Sequence, residues 1–307
     1  MSAPARPSRD RTLPVLRTNF ITGAELSSAE LRTVIERAVQ LKSSPLSSDA
    51  LRRRAVALIF EQPSTRTRVS FEVGITELGG HPMVLRSDEL QLSRGESIRD
   101  TAYVLSRHAA AICARTADDE LVLELAHHAQ VPVINMLTPR HHPCQVLADL
   151  QTLQEEFGHL EGLTLAYVGD GNNVARSLAT IGRLAGMEVR IASPASYAMP
   201  DPPEGVRLTD DARAAAQGAD ALYTDVWVSM SDDPATAEQR RGALAPYRLD
   251  SDLLALAAPH AIVLHCLPAH PGEEISEELL YGPRQRIWAQ AENRRHAQKA
   301  LLEHLVE

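Results

Sequence analysis

Cysteine is scarce in this sequence, at 3 of 307 residues. Cys113, Cys144 and Cys266 are odd in number, far apart and outside any C-x-x-C arrangement. That pattern argues against a disulfide framework and fits a reducing, cytoplasmic setting. Long apolar runs are also missing. The longest near the front, Ala55 to Phe60, is far short of a membrane span, so no membrane partner is expected. Basic charge is in deficit, with 31 Lys and Arg against 40 Asp and Glu, a formal net charge of −9. A nucleic-acid backbone is held by the opposite balance, which argues against nucleic acid as a partner. A small anion needs only a local basic cluster and is not excluded. No segment is of low complexity, and no repeat has solenoid length. Arg6, Arg9, Arg11 and Arg17 give the N-terminus a superficial likeness to a transit peptide. Pro4, Pro7 and Pro14 break any amphipathic helix there and no apolar core follows, so a solvated tail is expected.

What the chain does contain is ordinary globular composition, 44% hydrophobic and 23% charged, at a length that suggests about two domains. From Arg54 onward, short β-rich runs alternate with helical periodicity. Strands are expected at 55–60, 81–85, 109–114 and 131–136, then at 163–169, 187–193, 221–227 and 261–266. Helices are expected between them. Thr65 to Leu78 stops at Gly79-Gly80, and Ser97 to His108 and Asp118 to Ala129 each open on an N-cap type of residue. Asn173 to Ala185 reads the same way. This alternation, run twice, predicts an α/β protein with two doubly wound domains and mainly parallel sheets. A helix starting at Pro143 is expected to link them, with Val146, Leu150, Leu153 and Phe157 on one face and Gly158 at its end. A last helix, roughly Ala291 to Leu305, is expected to pack back on the first domain. Ser231 to Tyr247 reads as a mobile loop.

Ligands of open α/β sheets bind beyond the carboxyl ends of the strands, so the loops there are the place to look. Directly after the first strand stands Gln62-Pro63-Ser64-Thr65-Arg66-Thr67-Arg68. Hydroxyls, guanidiniums and the N–H groups of a helix start together suit an anion. Arg66 and Arg68 cannot both face it from a regular helix, and the second can pair with Glu72. The plainer reading is a well-capped helix with surface arginines. His142 and Gln145, one turn apart, can face one pocket and donate to a carbonyl or phosphate oxygen, or His142 can simply cap its helix. Cys266, at the end of the last strand, suits a nucleophile, a polar contact or a buried apolar residue. Zinc on His141, His142, Cys144, His265 or Cys266 lacks the usual ligand spacing. Gly169-Asp170-Gly171-Asn172-Asn173 opens like a dinucleotide fingerprint but has no third glycine and no acidic residue for a ribose. Asn173 and Asp225 instead suit the carboxylate and ammonium of an amino acid.

These loops, in this order, resemble the carbamoyltransferases, most closely the ornithine carbamoyltransferases. The likeness runs from Ser64-Thr65-Arg66-Thr67-Arg68 through His142-Pro143-Cys144-Gln145, Asp225-x-x-Ser229-Met230 and His265-Cys266-Leu267-Pro268 to Ala291-Glu292-Asn293-Arg294. The resemblance implies a carbamoyl-phosphate domain at 1–145, to which 290–307 returns, and an ornithine domain at 146–289. It implies that Ser64, Thr65, Arg66, Thr67, Gln91, Arg115, His142, Pro143, Cys144, Gln145, Cys266, Leu267 and Arg294 bind carbamoyl phosphate. Gln91 would do so from a neighbouring subunit of a homotrimer. Asn173, Asp225, Ser229 and Met230 would bind ornithine, and Arg66, His142, Asp225 and Cys266 would be catalytic. The implied reaction carbamoylates the side-chain amine of L-ornithine to give citrulline and phosphate, as in arginine biosynthesis, without a metal or organic cofactor. Two positions depart from the pattern: Gln62 stands where lysine is common, and Ser231 where glycine follows the Ser-Met pair. Aspartate-specific relatives have proline at the place of Cys266, whereas relatives acting on putrescine or N-acylated ornithine share parts of the pattern. The defective glycine motif disfavours a dehydrogenase. The polar positions are chemically intact, which argues against a catalytically dead paralogue.

Overall fold

The computed structural model describes residues 19–86, 88–91, 95–228 and 234–306. The expectations placed on the N-terminal tail, Ser229, Met230 and Ser231 lie outside them. The first half holds β1 (Ala55–Phe60), β2 (His81–Arg86), β3 (Ala109–Arg115) and β4 (Val133–Leu137). All pairings are parallel, in the order β2-β1-β3-β4. The second half holds β5 (Thr164–Val168), β6 (Glu188–Ala192), β7 (Arg207–Thr209), β8 (Ala221–Thr224) and β9 (Ile262–His265), also parallel, in the order β7-β6-β5-β8-β9. Two parallel α/β sheets are therefore present, as the alternation of elements predicts. Parallel strands are covered on both faces, which is why β1 reads as an unbroken apolar run. Val56, Leu58 and Phe60 pack into the core shared with the second half, while Ala57 and Ile59 pack on the opposite face.

The helices of the first half are α1 (Ser28–Ser43), α2 (Thr65–Glu77), α3 (Ile98–His108) and α4 (Asp119–His128). The last three match the sequence expectation to within a residue at most ends. Helix α1 was not expected, although Ser27 and Glu30 form a capping box at its start that is legible in the sequence. Helix α5 (Pro143–Phe157) begins with Pro143 and ends at Gly158 in the left-handed conformation (φ 78°), where glycine carries no steric cost. Its single apolar stripe proved too narrow a picture. Every residue from Pro143 to Leu153 is buried, because α5 lies between the two sheets rather than on a surface. Most of its polar groups find partners inside, as Thr152 does by accepting from Asn293 Nδ2 at 2.9 Å, but Asp149 Oδ2 and Gln151 Oε1 are buried without one.

The second half adds α6 (Asn173–Leu184), α7 (Ala212–Ala216), α8 (Ala237–Leu244), α9 (Ser251–Leu254) and α10 (Glu277–Tyr281). Helix α8, with 3-10 turns on either side, occupies the described part of the segment expected to be a loop. The C-terminal α11 (Ile287–Val306) is longer than expected at both ends and packs against α1, α2 and α5. One apolar core runs through the junction, from Phe20, Leu58 and Phe71 through Leu150 to Tyr167, Ile181 and Leu301. Among the described residues, no helix is long and apolar enough to cross a membrane.

Candidate active site

Both sheets reverse their winding at one point, between β1 and β3 and between β5 and β8. The crevices beyond the strand ends at such points are where open α/β sheets bind ligands. The sequence-selected loops follow the carboxyl ends of β1, β4, β5, β8 and β9, at or beside these points. After β1, Ser64 is extended and caps α2, its hydroxyl accepting from the Thr67 N–H at 3.3 Å. Thr65 and Arg66 are exposed on the first turn. Arg68 points away and pairs with Glu72 at 2.8 Å, which leaves Arg66 for the crevice. Arg115, at the end of the adjacent β3, has a buried Nε that finds no hydrogen-bond partner. Glu61 secures the two loops to each other: its N–H donates to the Arg115 carbonyl at 3.0 Å, and its carboxylate accepts from the Thr116 hydroxyl and the Ala117 N–H.

His142 stands at the N-cap of α5, but its side chain makes no capping hydrogen bond. Its backbone N–H donates to Ser177 Oγ at 2.8 Å, its ring is buried, and Nδ1 has no partner. Burial, then the guanidiniums of Arg294, Arg115 and Arg66, hold the imidazole well below its usual range, so the ring is neutral at neutral pH. Arg294 is itself buried. Its Nη1 donates to Gln145 Oε1 at 2.7 Å and its Nη2 to Thr67 Oγ1 at 3.1 Å. With the Gln298 amide oriented by its own neighbours, that oxygen also accepts from Arg294 Nε and Nη2. Burial and then Arg294, with Arg66 adding a smaller push against Cys266, bring Arg115 down to about 10. Among the described residues, none of Arg66, Arg115 and Arg294 forms an ion pair with a carboxylate. Three guanidiniums thus share one space with a neutral imidazole and without an ion pair among the described residues, an arrangement suited to a multiply charged oxyanion.

The other side of the crevice is acidic and neutral. Asn172 caps α6 through Oδ1, and its Nδ2 donates to Asp225 Oδ2 at 3.0 Å. Asn173, next to it, donates to the Thr138 carbonyl of the first half at 2.8 Å. Burial raises the Asp225 carboxyl, against the pull of His265, the Val226 N–H and Asn172. Burial, and then Asp225, push the Cys266 thiol well up. Burial therefore favours its thiol form, the weaker nucleophile, over the thiolate. Gly171 leaves no room for a side chain, since a Cβ there would meet Met199 N at 2.3 Å.

Several residues that build the site carry no signal in the sequence. His265 Nδ1 accepts from the Leu267 N–H at 2.8 Å, so the ring proton lies on Nε2 and faces Glu274 Oε1 at 3.1 Å. That pair, buried on both sides, holds Leu267 at φ 61° beside Cys266. Under both halves, Asp149 Oδ1 accepts from Gln145 Nε2 at 2.8 Å and from Gln290 Nε2 at 2.7 Å. Gln290 also reaches Tyr223 Oη and takes the His265 N–H on its oxygen. The one local signal is the residue type of Asn172, an asparagine at a helix start. The remaining partners lie far apart in the chain.

Not every expected residue joins the cluster. Cys144 is buried and its thiol turns inward, to the Asn135 carbonyl at 3.3 Å, while Pro143 is the buried first residue of α5. Gln91 is exposed on the loop after β2, and among the described residues no hydrogen bond links its side chain to the crevice. The zinc candidates do not converge either: Cys144 binds Asn135, and His265 faces Glu274.

The chain matches two family models end to end. Residues 18–155 match the aspartate/ornithine carbamoyltransferase carbamoyl-P binding domain, and residues 161–305 the Asp/Orn binding domain. It is 51% identical over 305 residues to an ornithine carbamoyltransferase of Acidothermus cellulolyticus, covering 94% of this chain and 96% of the relative. Among solved structures, the ornithine carbamoyltransferase of Thermus thermophilus superposes with a TM-score of 0.87 at 42% identity, over 96% of this chain and 100% of that one. That of Pyrococcus furiosus does so with a TM-score of 0.87 at 42% identity, over 94% and 96%.

Proposed function

The chain belongs to the aspartate/ornithine carbamoyltransferase family, and from that membership we propose how its crevice works. It is an ornithine carbamoyltransferase: it transfers the carbamoyl group of carbamoyl phosphate to the side-chain amine of L-ornithine, giving L-citrulline and phosphate. The observation that carries the site assignment is the set of three unpaired guanidiniums around neutral His142. We assign residues 1–145, with 290–307, to carbamoyl phosphate and 146–289 to ornithine.

Ser64, Thr65, Arg66, Thr67 and Arg115 take the phosphate oxygens, helped by the N-terminus of α2. Arg66 and His142 polarise the carbamoyl carbonyl and stabilise the oxyanion that forms on attack. Arg294 and Gln145, already bonded to each other at 2.7 Å, form a preset wall for the carbamoyl group, with Cys266, Leu267 and the backbone, not the side chains, of Pro143 and Cys144 framing it. Asn173, Asp225, Ser229 and Met230 hold ornithine. The attacking amine must be neutral. Asp225 and the Cys266 thiol orient it, a C–N bond forms as the C–O bond to phosphate breaks, and the departing phosphate accepts the amine proton.

The same reading includes a homotrimer, in which Gln91 reaches a neighbour's crevice, and a place in cytoplasmic arginine biosynthesis. Support for the first is the exposed position of Gln91, away from its own site. Support for a biosynthetic role is a 35% identical solved structure, from Campylobacter jejuni, described as an anabolic ornithine carbamoyltransferase. The decisive assay offers ornithine, putrescine, N-acetylornithine and aspartate in parallel and follows phosphate release from carbamoyl phosphate. Ornithine is expected to be preferred. Activity with aspartate only, or with none of the four, overturns the reading.

A further inference from the structure

Beyond the crevice, the turn that follows Cys266 carries a cluster of which only Glu274 Oε1, through His265, supports the site. One ligand atom each from His270, Glu273 and Glu274 lies within 4.8 Å of the other two. We propose that these three side chains bind a divalent transition-metal cation. The independent pointer is Glu274, which is fully buried while its Oε2 has no hydrogen-bond partner. A carboxylate oxygen out of water and without a hydrogen bond is costly, and the ordinary remedy is a cation or a donor.

The two oxygens of Glu274 are used differently. Oε1 is saturated, accepting from His265 Nε2 and from the His270 N–H. Oε2 stands 3.7 Å from His270 Nδ1. Around a tetrahedral zinc-like ion, ligand atoms lie about 3.3 Å apart. A small rotation of the half-exposed His270 ring closes that difference. Glu273 accepts from Arg241 Nε at 3.1 Å through Oε2, which orients the carboxylate as outer partners orient metal ligands elsewhere. One imidazole nitrogen with two carboxylate oxygens suits zinc, cobalt or nickel better than magnesium or calcium, which favour all-oxygen shells.

The test uses the full chain and Co2+ as probe, with binding read by calorimetry and by the visible absorption of the ion. Wild type, Cys266→Ser, His270→Gln and Glu273→Gln are compared, with Mg2+ as a second titrant. One Co2+ per chain is expected for wild type and Cys266→Ser, and at least about tenfold weaker binding for each of the other two variants. Mg2+ is not expected to compete. Undiminished binding in both His270→Gln and Glu273→Gln overturns the proposal. Loss of binding in Cys266→Ser, which would move the ion to the thiol, also overturns it, as does the absence of Co2+ binding at millimolar concentration.

Discussion

Gln290 Nε2 donates to Asp149 Oδ1 across 2.7 Å, joining residues 141 apart and tying the C-terminal helix to the helix between the two sheets. The carboxylate that receives it is wholly buried, and its second oxygen has no partner. Both halves of the crevice rest on this point, through Gln145 on one side and through Tyr223 and the His265 backbone on the other.

Burial lifts the Asp149 carboxyl from 3.8 to about 7, against the hydrogen bonds of Gln290, Gln145 and Tyr223. The folded chain therefore binds this proton more tightly than the unfolded one. Its stabilising contribution is complete below about pH 3.8 and is lost as pH rises towards 7. Asp149→Asn keeps an acceptor for both glutamines and removes the titration. Between pH 5 and pH 8 the wild type should lose up to about 3 kcal/mol relative to the variant, at about 1.4 kcal/mol per pH unit. Urea unfolding at both pH values checks it. The opposite trend from His142, whose lowered pKa weakens the fold as pH falls through 6.5, is common to both proteins and cancels. A difference that does not change with pH would show that Asp149 does not titrate in this range.

Arg66 is exposed and forms no ion pair among the described residues, so its removal should leave the fold intact. Arg66→Ala is expected to lower kcat/KM for carbamoyl phosphate by about a hundredfold or more, the cost typical of losing a transition-state donor. The thermal midpoint should stay within a degree or two of wild type. Citrulline formation within a few fold of wild type would remove Arg66 from the mechanism.

Arg240 of α8 donates to Asp170 and to the Trp227 carbonyl, and its guanidinium lies 4.7 Å from the centre of the Tyr197 ring. It thereby fastens α8 to the loop that carries Asn172 and to the segment after Asp225. Arg240→Ala should raise KM for ornithine about tenfold, equivalent to 1.4 kcal/mol. The KM for carbamoyl phosphate, bound on the other side, should change less than twofold. Equal changes in both would mean a general loss of structure instead.

His265 meets the Leu267 N–H on one ring nitrogen and Glu274 on the other. His265→Leu leaves that N–H and a buried carboxylate oxygen short of a partner. About 2 kcal/mol or more of stability should be lost. The turn beside Cys266 should loosen with it, lowering kcat more than the affinity for carbamoyl phosphate. Denaturant midpoints and steady-state kinetics on the same preparation separate the two effects.

The sequence alone determined what is local: strands buried on both faces as unbroken apolar runs, the Gly158 stop of α5, and the division of labour between Arg66 and Arg68 set by helical spacing. It also showed which loops bear hydroxyls and guanidiniums. Each of these depends on backbone chemistry or on neighbours within one or two turns, and both are written in the order of residues. Tertiary structure alone decided the rest. Helix α8 depends on docking against Asp170 and Trp227, not on its own weak pattern. Asn172, the cap of α6, meets Asp225 across 53 residues of chain. Arg294 reaches Gln145 across 149 residues of chain, and the neutrality of His142 follows from burial among three arginines that no local pattern brings together. Charge and solvation depend on what the folded chain places within a few ångströms, and that distance is settled only when the two sheets close on α5 and α11.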